Sequence, residues 1–121
     1  MIGIGVDLVE VDRMRSVLAR TPTLVERLFT AGERAYAQAA TDPTERFAVR
    51  FAAKEAVLKA LGLGLGAADW HDIEVVRADS GAPSIRLSGR AEAASDAAGV
   101  REWKLTLTHT ASMAEAIAVA L

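Results

Sequence analysis

A chain of 121 residues, 51% of them hydrophobic, is long enough for one domain with its own core, residues 1–121, and too short for two. Fourteen Lys and Arg against sixteen Asp and Glu leave a net charge of −2 with the signs interleaved, so no overall basic field points to nucleic acid. The lack of cysteine excludes disulfide staples, thiolate metal sites and cysteine nucleophiles. With no basic leader before Asp7 and no run of about 20 uncharged apolar residues, the chain is expected to be cytoplasmic, with no membrane partner.

Ile2, Ile4, Val6 and Leu8 alternate with Gly3, Gly5, Asp7 and Val9, the pattern of a strand with one fully apolar face. Asp7 shares its face with two glycines, which in a strand mark close approach of another backbone or a ligand. It reads as the wall of a site or as a helix-start acid just off a strand end. Asp12 is placed to cap the next segment, DRMRSVLAR, whose Met14, Val17 and Leu18 form an apolar stripe. Arg13 and Arg20, seven apart, return to nearly one face and form a basic rail, with Arg27 on the short element after Pro22. Such a rail is a solvated face or a dock for an acidic partner.

Thr30 and Glu33 have capping-box spacing, and the helix they start runs to near Thr41. Asp42-Pro43 then opens the longest helical pattern, which includes RFAVRFAAKEAVLKALG, Arg46 to Gly62. Glu55 falls between Phe51 and Leu58 on an apolar seam, where a bare carboxylate is costly and a partner is expected. Lys59, four residues on, is the nearest candidate, while Arg46, Arg50 and Lys54 follow at steps of four on another arc. The helix is a surface helix with ordinary Glu–Lys pairing, or it holds a polyanion together with a metal.

Gly62, Gly64 and Gly66 make a flexible exit loop without the lysine-hydroxyl ending of a phosphate-cradling loop. Ile73 and Val75 begin a hairpin that turns at Asp79-Ser80-Gly81 and returns from Pro83 to Leu87, with Pro83 at its edge or entry. His71, just before it, reads as structural or exposed. Ser88 or Gly89 starts an alanine-rich helix that ends at Gly99. Trp103, Leu105, Leu107 and His109 share one face of a strand, and Met113 to Leu121 alternates with Ala114, Ala116, Ala118 and Ala120 to close a second hairpin. His109 ends the leucine face as a satisfied core histidine or a ligand-facing one, and the alanine face admits a long helix at short distance. The expected fold is α+β, with antiparallel strands wrapped around one long central helix.

Taken in order, GIGVDLVEVDRM, RFAVRFAAKEAVLKALG, GAP and LTLTHT resemble the holo-acyl-carrier-protein synthase family of short-chain 4'-phosphopantetheinyl transferases, over nearly the whole chain. The resemblance implies Asp7 and Glu55 as Mg²⁺ ligands. It implies Glu55 and Lys59 as catalytic residues, with Lys59 beside the transferred phosphate, and Arg50, Lys59, Pro83, His109 and Thr110 around coenzyme A. The helix bearing Arg13 and Arg20 matches the family's carrier-docking helix, although the basic positions between Arg20 and the central helix are only loosely patterned.

The implied reaction is attack by a serine hydroxyl of an acyl carrier protein or carrier domain on the phosphorus that bears pantetheine, expelling adenosine 3',5'-bisphosphate. Mg²⁺ takes one or two carboxylates together with phosphate oxygens and waters, which suits Asp7 and Glu55, and Lys59 adds positive charge. The serine proton has two candidate acceptors, Glu55 and a water on the metal. Taking Arg46 as zero, Arg50 lies at about 40°, Glu55 at about 180° and Lys59 at about 220°, so one helix does not turn both sets onto one coenzyme A. The family's homotrimer, with sites between subunits, fits that geometry. The rivals are a non-catalytic module docking an acidic partner through its arginine-bearing helix, and a magnesium phosphohydrolase using water. Docking has no need of Glu55 on an apolar seam.

Overall fold

Small residues set the distance between the long helix and the sheet. The computed structural model describes all 121 residues. They run, in chain order, β1 (Gly3–Glu10), α1 (Val11–Arg20), α2 (Leu24–Leu28), α3 (Ala31–Gln38), α4 (Thr44–Ala60), a short 3-10 turn (Trp70–Asp72), β2 (Ile73–Arg77), β3 (Pro83–Leu87), α5 (Gly89–Ala97), β4 (Trp103–His109) and β5 (Met113–Ala120). β1, β5 and β4 form one antiparallel sheet with β5 in the middle, and β2 pairs with β3 in a separate hairpin. The architecture is the α+β arrangement that the pattern implies, with the strands divided between two sheets.

The register puts Asp7 opposite Ala116 and Ala116 opposite Leu107, so Gly3, Gly5, Asp7 and Val9, the four alanines of β5 and the Trp103–Leu107 face of β4 share one side. α4 lies across that side, with Ala52, Ala53, Ala56, Val57 and Ala60 buried. A Cβ built on Gly5 would stand 1.9 Å from the carbonyl oxygen of Ala56, and one on Gly3 1.9 Å from that of Ala60. The glycines are therefore the condition for strand-to-helix contact. A consequence is that β1 is inverted relative to ordinary amphipathic patterning. Its large side chains point away from α4, leaving Ile4 58%, Val6 50% and Leu8 58% exposed. Ile4 stands beside Val119 and Val6 beside Ile117 on the same outer face. A second core, formed by Val11, Met14, Phe29, Phe47 and Val49, holds the helices together at the other end of α4.

The helix starts differ in how their free amides are satisfied. Thr30 and Glu33 form the reciprocal capping box, with Glu33 N–H on Thr30 Oγ1 at 3.2 Å and Thr30 N–H on Glu33 Oε1 at 2.9 Å. α3 then ends at Gln38, earlier than its sequence pattern implies. Asp42 Oδ1 accepts from the Thr44 amide at 3.0 Å and its hydroxyl at 2.8 Å where α4 begins. Asp12 does not cap α1: it lies inside the first turn and accepts from Arg15 at 2.5 Å. β1 passes into α1 without a turn, and the Val11 amide donates instead to the Ser112 carbonyl at 2.9 Å. His71 is structural, its Nε2 bonded to the Glu26 carbonyl at 2.6 Å.

Gly5→Ala is expected to push β1 off α4 and cost about 1–3 kcal/mol of stability. Gly64→Ala, whose Cβ meets nothing within 4 Å, should leave the urea midpoint near that of the parent. Equal midpoints for the two variants would show that the glycines do not set the helix–sheet distance.

Candidate active site

The close approach of β1 to α4 brings two acids together. Asp7 follows Gly5 on the same strand face, and Glu55 precedes Ala56, whose carbonyl the glycine meets. Burial, then the charge of Asp7 and a hydrogen bond with it, push the Glu55 carboxyl above its ordinary range, with Lys59 opposing. Lys59 does not serve as the partner of Glu55. Its Nζ donates to Asp7 Oδ1 at 3.0 Å and to the Val6 carbonyl at 2.9 Å, because β1 crosses α4 there and offers two acceptors. The pair borders a cavity of about 450 Å³ lined also by Glu10, Arg13, Met14, Val17, Leu28 and Phe51.

Two facing carboxylates, one of them held toward its protonated form by burial and by the charge of the other, are a donor set that a divalent cation relieves. No third His, Cys, Asp or Glu joins them. Two protein oxygens leave coordination positions for phosphate oxygens and water, the pattern that Mg²⁺ accepts and a closed structural site does not. The two carboxylates therefore fit an open divalent-cation site of the kind Mg²⁺ accepts.

A second cavity, of about 490 Å³, lies along a different arc of α4 and includes Arg46, Arg50, Arg77, Pro83, Glu45 and His109 in its lining. The guanidinium carbons of Arg46, Arg50 and Arg77 stand 4.1, 4.2 and 4.8 Å from the centre of the Tyr36 ring. Arg77 also bonds the Tyr36 hydroxyl, and Arg46 donates to the Tyr36 carbonyl at 2.6 Å. None of the three forms a salt bridge. Arg50 is only 3% exposed, and its Nε has no hydrogen-bond partner. Burial lowers its pKa from the ordinary arginine value. Unpaired guanidinium charge with an unsatisfied donor is an anion-binding arrangement. His109 Nδ1 stands 3.3 Å from Glu45 Oε2 at the edge of the same space.

The candidate residues thus fall into groups. Asp7 and Glu55 line one cavity together with Arg13, Lys59 joins them through its bond to Asp7, and Arg50, Pro83 and His109 meet at the other cavity. Thr110 borders neither of these cavities. It holds the β4–β5 turn, its hydroxyl accepting from the Met113 amide at 3.0 Å and its amide donating to the Met113 carbonyl at 2.8 Å. Arg13 and Arg20 are both exposed on α1, two turns or about 10 Å apart. Tyr36 and Arg77 carry no sequence signal for their encounter, being 41 residues apart. Lys54, grouped by spacing with Arg46 and Arg50, is fully buried against Glu33 at 2.7 Å.

Residues 3–118 match the family model of the 4'-phosphopantetheinyl transferase superfamily. The chain is 49% identical to a holo-[acyl-carrier-protein] synthase of Frankia casuarinae over 99% of its own length and 97% of that protein. Among solved structures, it is similar to the holo-[acyl-carrier-protein] synthase of Neisseria meningitidis, with a TM-score of 0.91 and 27% identity over 100% of this chain and 98% of that one. It is also similar to the Helicobacter pylori synthase in complex with coenzyme A, with a TM-score of 0.86 and 28% identity over 98% and 99%. With a family match across almost its whole length and a full-length relative sharing half its residues, the chain belongs to the 4'-phosphopantetheinyl transferase superfamily.

Proposed function

We propose that this chain moves the 4'-phosphopantetheine group from coenzyme A to a serine of an acyl carrier protein or carrier domain, releasing adenosine 3',5'-bisphosphate. The observation that carries the reading is the division of α4 between a carboxylate pair with a lysine and a cage of unpaired arginines. Coenzyme A has two phosphate sites of unequal chemistry, a pyrophosphate that reacts and a 3'-phosphate that does not. The carboxylate pair suits the first and the arginine cage the second. A docking module would use α1 alone and leave the Asp7–Glu55 pair without a purpose.

Asp7 and Glu55 would hold Mg²⁺, which when bound neutralises the pyrophosphate oxygens as charge builds toward the leaving group. Lys59, half exposed and tethered only to Asp7 and the Val6 carbonyl, has a donor free for a phosphate oxygen. Phe51, Val17 and Met14 make the neighbouring wall apolar and exclude water from the attacked phosphorus. Arg50, whose guanidinium has no carboxylate partner, lends its positive charge to the 3'-phosphate from the cavity wall, with Pro83 and His109 bordering the same space. Arg13, next to the carboxylates, and Arg20, farther along α1, steer an acidic carrier so that its serine arrives at Asp7 and Glu55. Cysteine-free composition supports a cytoplasmic setting.

The two cavities of one chain serve different molecules of coenzyme A, and a neighbouring subunit completes each site in a homotrimer. The exposed row of Ile4, Val6 and Leu8 beside Ile117 and Val119 supports this assembly, because an apolar sheet face of that extent is covered in most proteins. The direct test of the activity is the mass of a purified carrier protein after incubation with coenzyme A and Mg²⁺. A gain of one phosphopantetheine is expected, and an unchanged mass with folded enzyme would refute the reaction.

Ionising a carboxyl whose folded pKa is raised costs stability. For Glu55 the cost is absent well below 4.5, grows as the pH rises through that value, and is complete above the folded pKa. Without divalent ions, Glu55→Gln should therefore melt higher than the parent at mildly alkaline pH and at the same temperature below pH 4.5. Mg²⁺ should raise the parent's Tm and not the variant's, and the variant should lose transfer. A variant stabilised by Mg²⁺ as much as the parent would remove Glu55 from the metal site.

Arg50→Ala and Glu55→Ala chains should each be inactive, while mixed assemblies recover activity at sites carrying both residues. No recovery after verified subunit exchange would rule out shared sites. Arg13→Glu and Arg20→Glu should raise the KM for carrier protein at low salt by about tenfold and leave that for coenzyme A near the parent's. An unchanged carrier KM in both would make the rail a solvated face.

A further inference from the structure

Glu33 and Lys54 form an ion pair with no solvent exposure of either side chain, and the reaction outlined above makes no use of it. Lys54 Nζ stands 2.7 Å from Glu33 Oε1 and donates to the Trp70 carbonyl at 3.0 Å and to the Ile73 carbonyl. Glu33 Oε1 also accepts from the Thr30 amide at 2.9 Å, and Oε2 accepts from the Val75 amide at 2.9 Å. Both ions are fully bonded. Burying such a pair carries a desolvation penalty, and packed apolar residues of the same volume give equal or greater stability. A buried pair is therefore weak evidence of added stability, and the best-attested use of such pairs is to fix the registration of the elements they join.

Those elements are α3, α4 and β2, and each contact point stands one structural repeat from a wall of the arginine cavity. Tyr36 is three residues after Glu33 on α3, Arg50 is four before Lys54 on α4, and Arg77 is two after Val75 on β2. Tyr36, Arg50 and Arg77 meet only because those three elements are in register, with both guanidiniums within 5 Å of the ring centre. Arg50 has little else to hold it: one bond to the Arg46 carbonyl at 3.5 Å and a bare Nε.

We propose that the buried Glu33–Lys54 pair is the positioning device of the arginine cavity, and that through it Glu33 and Lys54 set discrimination for the 3'-phosphate of coenzyme A. This rests on the reading that the cavity takes that phosphate. Glu33 and Lys54 act through Arg50, Arg77 and Tyr36, and touch no substrate.

The test compares coenzyme A with 3'-dephospho-coenzyme A in the full chain, the Glu33→Leu/Lys54→Met double variant and the Glu33→Gln single variant. The double variant removes both charges while keeping their volume. In the parent, coenzyme A should have the lower KM. In the double variant the KM for coenzyme A should rise about tenfold while kcat and the KM for the dephospho form stay within about twofold. Equal loss for both substrates, a fall in kcat alone, or an unchanged ratio would overturn the proposal and leave the pair a structural element. Should the double variant not fold, the same ratio in Glu33→Gln, which keeps the shape of the side chain, decides the matter. Arg77→Ala separates the underlying reading. If it too leaves the ratio at the parent's value, the cavity does not hold the 3'-phosphate and both readings fall. If it collapses the ratio while the pair variants do not, only the positioning role falls.

Discussion

The contact of β1 with α4 through Gly3 and Gly5 is the constraint on which the rest of the structure depends. Without side chains at those positions the strand backbone lies against the carbonyls of Ala56 and Ala60, and the alanines of β5 continue the same shallow surface. Two consequences follow from one steric fact. Asp7, next on the strand face, is brought against Glu55 and Lys59, so this grouping of two acids and a lysine is a product of close packing. The large residues of β1 are meanwhile turned outward, which gives the sheet an exposed apolar outer face.

α4 carries three chemistries on three arcs, and their separation is electrostatic as much as geometric. Toward β1 it presents a carboxylate whose ionised form is raised in energy by burial and by the charge of Asp7, an arrangement that favours a cation. Toward α3 and β2 it presents arginines whose charge is spread over one tyrosine ring and left unpaired, which favours an anion. Between these arcs Lys54 is withdrawn into the core and neutralised by Glu33. Its burial lowers the pKa of the lysine, an effect that the carboxylate opposes. A carboxylate facing another acid, arginines without carboxylate partners and a closed internal pair thus share one 17-residue helix.

Local patterns were the legible part. The capping box at Thr30 and Glu33, the hairpin around Asp79-Ser80-Gly81, the stop at Gly99 and the alternation of alanines in β5 all rest on interactions within a few residues, so sequence spacing reports them directly. Asp12 was misread because its capping role depends on how the chain enters α1. That entry is governed by the Ser112 carbonyl, a hundred residues away. The seam position of Glu55 was visible from helical angles, but the partner of Lys59 was not. Spacing along α4 offers Glu55, and the crossing strand offers Asp7 and a backbone carbonyl.

By itself the sequence determined the elements, the family and the identities of the charged residues, because each is written in local spacing or in motifs that run the length of the chain. Only the tertiary structure decided which charges meet. It turned the apolar face of β1 outward, sent Lys54 inward to Glu33, and gathered Tyr36, Arg50 and Arg77 from three elements around one cavity. The physical reason is that charge pairing depends on separations of a few ångströms between distant segments. For Asp7, Glu55 and Lys59 that separation is set by the packing of β1 on α4 at Gly3 and Gly5, which no periodicity along the chain encodes.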